Sequence, residues 1–258
     1  MADIGSRPVV ITRPLAQARL FADQLAAIGR VPVIFPLLEI APLADSSELQ
    51  SVLGRLDAYA MAVFVSPNAI DAAFSFIPAW PQAVAIGIVG EGSRLALQRH
   101  GADRDNAVIH APGNNERMDS DELFRVLDIA SLRGKRVLIV RGQAGRDFLT
   151  EMLRAEHVEV EHVTAYQRLR PQMDAAKSAQ LRALIDAGST WIVTSSEALR
   201  NLRQITAEAL DDQCVVKLQR SKIIVSHQRI AETAQSLAFS NVTMSGSGDE
   251  RLIAALQS

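Results

Sequence analysis

At 258 residues and 48% hydrophobic, the chain can bury one large core or two modest ones. A net charge of −2 excludes the broad basic field of a nucleic-acid binder, although local arginines and backbone N–H groups can still hold a small anion. Cys214 is the sole cysteine, the opening MADIGSRP has no signal-peptide core, and no apolar run reaches about eighteen residues, so a reduced, cytoplasmic protein without a membrane partner is expected.

Apolar runs alternate with amphipathic segments, the pattern of an α/β fold with parallel sheets. Strand 9–12 leads into a helix opened by Pro14 and closed near Gly29, the usual punctuation at helix ends. A strand over 31–35 continues through 36–40, and 47–55 is helical. Strand 61–65, a helix from Pro67, strand 84–89, a helix over 91–100 and strand 107–110 follow. Ser120-Asp121-Glu122 caps a helix predicted to reach Ala130. Next come strand 136–140, a helix to Ala155, strand 158–163 and a polar joint at 167–171. Asp174 caps a helix stopping at Gly188; strand 191–194, one helix from Ser196, strand 222–225, a helix over 227–239, strand 242–244 and a helix from Asp249 complete the chain. The count is about five strands for each of two sheets, as in flavodoxin-like units.

Chemistry-bearing residues gather where strands hand over to helices. Val137–Val140 ends on Arg141-Gly142, with Gly145 and Arg146 close behind. Glycine there admits close backbone approach, and guanidinium forks suit carboxylates. The segment closes on Tyr166. An anionic ligand is the implication. The same pattern occurs earlier: Val9–Thr12 ends on Arg13, with Ala16 and Leu25 at the offsets of Ala144 and Leu153. VFVSPNAI at 63–70 resembles IVTSSEAL at 192–199, in a register kept to within one residue. Ile88–Ser93 recurs more faintly as Ile224–Arg229. The chain therefore holds two similar units, and periodicity alone divides it once, near residue 135.

Each of these residues also has a structural role open to it. Arg13 and Arg141 can pair with nearby acids, Arg146 can form a helix-face ion pair, and Ser66, Ser195 and Ser196 can be N-caps. Asn68 and Glu197 suit helix starts. The five histidines lie in separate elements without metal-ligand spacing. No P-loop, no dinucleotide signature after a strand and no nucleophile elbow occur.

ITRP at 11–14, PLLEI at 36–40, FVSPNA at 64–69, SDELF at 120–124, VLIVRG with GR in 137–146, AYQR at 165–168, TSSEAL at 194–199 and IVSHQRIAETA at 224–234 together resemble uroporphyrinogen-III synthase from end to end. That resemblance implies two flavodoxin-like domains with parallel sheets, joined by a two-stranded antiparallel linker. Residues 1–37 with 170–258 would form one domain, 43–163 the other, and 38–42 and 164–169 the linker strands. It implies a hydro-lyase that cyclises hydroxymethylbilane, a linear tetrapyrrole with eight carboxylates, to uroporphyrinogen III, with loss of water and inversion of ring D. No cofactor and no metal are implied. Tyr166 would be catalytic, a hydrogen-bond or proton donor to the departing hydroxyl. Arg13, Ser66, Ser93, Arg141, Gly142, Arg146, Ser195, Ser196 and Ser226 would bind substrate. Ser93 stands where the family often has Thr, Ser226-His227-Gln228-Arg229 stands where many members carry a Gly and a Thr, and Ala238-Phe239-Ser240 replaces a helix end that commonly carries Gly. A monomer is expected, with hydroxymethylbilane synthase handing over the substrate. The rival class is a non-catalytic, two-lobed binding or regulatory protein for an anionic tetrapyrrole.

Overall fold

Apolar runs become buried strands and the segments between them become helices along the whole chain. The computed structural model describes residues 7–103, 105–113, 120–143, 147–246 and 248–257. In order, β1 (Pro8–Ile11), α1 (Leu15–Ala27) and β2 (Val31–Ile34) precede the short β3 (Glu39–Ala41) and α2 (Ser47–Leu53). Next are β4 (Met61–Phe64), α3 (Pro67–Phe74), β5 (Ala85–Ile88), α4 (Glu91–Arg99) and β6 (Ile109–His110). They are followed by α5 (Ser120–Val126), α6 (Ile129–Leu132), β7 (Arg136–Gly142), α7 (Phe148–Ala155) and β8 (Glu159–Leu169). The remainder is α8 (Ala175–Asp186), β9 (Thr190–Val193), α9 (Ser196–Ala209), α10 (Asp212–Arg220), β10 (Ile223–Val225), α11 (Gln228–Ser236), β11 (Val242–Met244) and α12 (Asp249–Gln257).

The chain divides into two units, Met1–Glu39 with Leu169–Ser258, and Ile40–Arg168. Among the described residues the first unit has a five-stranded sheet in the order β2-β1-β9-β10-β11, every pairing parallel. The second has six strands in the order β3-β8-β7-β4-β5-β6, parallel from β8 through β6. Counting the second unit's strands from β7 instead of β4 makes β8-β7-β4-β5-β6 the same order as the first. The two sheets are circular permutations of one another. The sequence repeats sit at matching places: β1 with β7, β9 with β4, and β10 with β5. A single division near residue 135 is therefore incorrect, because β1 and β9 flank the second unit in sequence yet pair in the first.

Both faces of each sheet are covered, as parallel sheets require. Val10, Trp191 and Val225 are buried on one face of the first sheet, and Val9, Ile11 and Ile192 on the other. In the second sheet Phe64, Leu138 and Val163 face one core, while Val63, Ile139 and Val137 face the other.

Three element expectations change. The helix predicted over 120–130 breaks into α5 and α6, because the Asp128 side chain accepts from Ser131 N–H at 3.3 Å and starts a new cap. The single helix from Ser196 is two, since Asp211 accepts from Cys214 N–H at 2.9 Å and caps α10. The expected break between a strand at 158–163 and a segment from Thr164 is absent, and β8 runs unbroken to Leu169.

Helix ends repeat one device. At the end of α1, Gly29 lies at φ 74°, its N–H donates to Ala26 C=O at 2.9 Å and Arg30 N–H donates to Leu25 C=O at 3.0 Å. This left-handed stop satisfies carbonyls that the helix leaves open. The end of α11 uses the same bonds, Ala238 N–H to Gln235 and Phe239 N–H to Ala234, both 3.0 Å, but with Ala238 at φ 63°. A Cβ there costs about 1–2 kcal/mol. Ala238→Gly should remove that strain while loosening the unfolded chain by about 0.4–1 kcal/mol. A net gain of up to about 1.5 kcal/mol is expected in urea unfolding, and a loss would show that the Ala238 methyl packs favourably.

Candidate active site

Parallel pairing places all strand C-termini of a unit along one sheet edge, and the candidate residues follow from that. In the first unit Arg13 follows β1, Ser195 and Ser196 follow β9, and Ser226 follows β10. In the second, Ser66 follows β4, Ser93 lies in the first turn of α4 after β5, Arg141 and Gly142 end β7, and Tyr166 lies in β8. The strand order reverses between β1 and β9, and again between β7 and β4. Such reversals open the crevices in which α/β sheets hold ligands. Arg13 and Ser195 flank the first reversal; Gly142 and Ser66 flank the second.

The second unit brings its candidates into contact through a register fault. Arg141 pairs with Thr164 but Gly142 pairs with Tyr166, so Ala165 is an extra residue. Strict alternation would send Tyr166 to the face opposite Val163 and Ala165. The extra residue puts all three in the same core. Tyr166 then packs against Gly142: a Cβ on Gly142 would stand 2.7 Å from Tyr166 Cζ. Gly142 thus makes room for the phenol. Tyr166 Oη reaches Ser66 Oγ at 3.1 Å, Ser66 Oγ accepts from Ala69 N–H at 3.2 Å, and Arg168 Nη2 donates to Tyr166 Oη at 3.3 Å. Tyr166 is only 2% exposed, whereas Ser66 and Arg168 are part-exposed.

Both strand-end arginines are engaged. Arg13 pairs with Asp249 at 2.7 Å and lies over the Phe21 ring at 4.8 Å. Arg141 pairs with Asp147 at 2.7 Å. The hydrogen bond from Arg141 holds the Asp147 carboxyl below the usual carboxylate range. His162, bonded to Thr150 Oγ1 at 2.6 Å, is held below the ordinary histidine range, first by burial and then by Arg141 and Arg154. Asp147, Asp249 and Arg168 were not singled out from sequence, because each acts through a partner that only the fold supplies.

The serines divide by role. Ser66 and Ser195 cap α3 and α9 through Ala69 N–H and Ala198 N–H. Ser196 is buried and accepts from Thr233 Oγ1 at 3.1 Å. Ser226 is buried at the end of β10. Ser93 is fully buried, and its Oγ has no hydrogen-bond partner among the described residues. Arg146 and Gly145 lie outside the described residues.

A cavity of about 560 Å³ lies at the other edge of the first sheet, lined by Arg7, Arg30, Lys217, Arg220 and Lys222 with Asp186. Its charge has a structural cause: α8, α10 and α12 end there, and cations offset the negative ends of helices. Arg30 Nη2 donates to Leu256 C=O at 2.6 Å, and Lys217 pairs with Asp186 at 2.6 Å. It is not a counterpart of the strand-end site. Among the described residues no His/Cys/Asp/Glu group could hold a metal ion, and no helix is long and apolar enough to cross a membrane.

The sequence model of uroporphyrinogen-III synthase HemD matches residues 20–254. The chain belongs to the uroporphyrinogen-III synthase family. The uroporphyrinogen-III synthase of Salmonella typhimurium is 29% identical over 96% of this chain and 99% of its own length. That of Escherichia coli is 26% identical over 96% and 99%. Uroporphyrinogen-III synthetase from Helicobacter pylori, a solved structure, is 14% identical with a TM-score of 0.60 over 97% of this chain and 99% of its own, which shows a shared fold.

In this uroporphyrinogen-III synthase family member the Gly142–Tyr166 contact is open to direct test. Gly142→Ala places a methyl inside the phenol's space, so the ring must leave Ser66. Overpacking of this kind costs about 1–3 kcal/mol. A lowered urea midpoint with a changed tyrosine environment is expected; unchanged stability would show that Tyr166 moves aside freely.

Proposed function

We propose that the chain is a hydro-lyase that closes hydroxymethylbilane to uroporphyrinogen III in tetrapyrrole biosynthesis, with inversion of ring D and loss of water. The observation that carries this reading is the family match across residues 20–254. The two units are read as flavodoxin-like domains, residues 1–37 with 170–258 and residues 43–163, with 38–42 and 164–169 as linker strands. The shared strand order supports that reading. A cytoplasmic monomer that receives its substrate from hydroxymethylbilane synthase completes it.

The chemistry asked of the protein is mostly positioning. The leaving hydroxyl departs from a pyrrolylmethyl carbon, pushed by the ring nitrogen, so the substrate is reactive by itself. The protein's task is to hold the chain so that the hindered ring carbon is the one attacked. Substrate carboxylates are held at the strand ends, where Arg13 and Arg141 offer guanidinium forks and α3, α4 and α9 present N-terminal N–H groups. The Tyr166–Ser66 pair supplies the hydrogen bond or proton for the departing hydroxyl.

Incubating the protein with hydroxymethylbilane and separating the isomers tests the reading, because spontaneous closure gives type I. Type III is expected. Tyr166→Phe should lower its rate about 10- to 100-fold, the lower range of acid catalysis. Only type I from the wild-type protein would overturn the assignment.

A further inference from the structure

We infer that Ser66, and not the phenol, presents the proton at the candidate site, with Tyr166 behind it and Arg168 fixing the direction of the hydrogen-bonded chain. This deepens the proposed reaction and rests on it. A count of hydrogens carries the argument. Arg168 Nη2 donates to Tyr166 Oη at 3.3 Å, and a guanidinium accepts nothing. The phenol must send its single hydrogen elsewhere, and Ser66 Oγ stands at 3.1 Å. Ser66 Oγ already accepts from Ala69 N–H at 3.2 Å, so the phenol fills its second lone pair. The Ser66 hydrogen is then left pointing away from both, on a residue that is part-exposed. The reverse order would demand an outside acceptor for the phenol hydrogen, on a side chain only 2% exposed.

The step balances. As the pyrrolylmethyl C–O bond breaks, its electron pair stays on oxygen, which takes the Ser66 proton and leaves as water. The phenol proton moves to Ser66 Oγ. Negative charge comes to rest on Tyr166 Oη beside the Arg168 guanidinium, a preorganised stabiliser. When the attacked pyrrole regains aromaticity it releases a proton, which returns through Ser66 to the phenolate. Nothing is consumed. Ser66 is then the catalytic residue that touches substrate, and Arg168 is a positioning residue.

Steady-state rates for the type III isomer, with unfolding midpoints measured in parallel, test this. Ser66→Asn keeps an N-cap but has no hydroxyl. It should lose about 10- to 100-fold in kcat with KM little changed, and Ser66→Thr should keep most activity. Ser66→Ala combined with Tyr166→Phe should be no worse than the poorer single variant, since one chain is cut once. Arg168→Met should lower kcat without raising KM, and Arg168→Lys should restore part of it. Near-wild-type kcat in Ser66→Asn, beside an impaired Tyr166→Phe, would show that the phenol donates directly and would overturn the relay alone. Only type I isomer from the wild-type protein would overturn the functional reading, and the relay with it.

Discussion

A parallel strand pair cannot be closed by a tight turn, so each connection must cross a face of the sheet and return. That constraint puts every strand C-terminus of a unit on one edge. It explains why residues as distant as Ser66 and Tyr166 meet, and why Arg13, Ser195 and Ser226 gather although they come from opposite ends of the chain. It also puts helix C-termini at the other edge, where lysines and arginines are drawn to carbonyls. The two edges are both rich in cations for different physical reasons. The one that collects helix N-termini adds their N–H groups to its cations.

Within that frame, one irregularity sets the local geometry. The extra residue at Ala165 turns Tyr166 onto the face that carries α3, and the missing side chain at Gly142 leaves space for the ring. Neither feature is useful alone. An uninterrupted register would aim the phenol at the opposite core, and a side chain at 142 would occupy its place.

Much of this was legible from sequence and some could not be. The apolar runs gave β1, β4, β7 and β9 nearly to the residue, because buried parallel strands need continuous hydrophobicity. The repeat of Arg13 in Arg141 and of Ser66 in Ser195 was visible too. Its meaning was not, since circularly permuted sheets keep local motifs while changing the order in which the chain visits them. Single capping residues override periodicity: Asp128 and Asp211 each begin a new helix inside what periodicity reads as one. The Ser66–Tyr166 contact was out of reach, because it depends on a register fault that leaves no compositional mark. Arg13 and Arg141 stood out as strand-end cations, but the acids that hold them, Asp249 and Asp147, come from helix starts that spacing does not connect to them.

The interleaving of the two units also constrains how the chain is made. β1 has β2 as an early neighbour, but its other partner is β9, and Thr12 is bonded to Ile192 C=O across 180 residues. At about 5–20 residues per second, that partner leaves the ribosome roughly ten to forty seconds after β1. All of Ile40–Arg168 has emerged by then and can fold in the interval. Closing so long a loop adds little to its entropy cost, which grows only with the logarithm of length. The burden is kinetic. Val9, Val10 and Ile11, fully or almost fully buried at the end, wait for their second neighbouring strand while the other unit is made. During synthesis the segment most exposed to mispairing becomes an interior strand of the finished sheet.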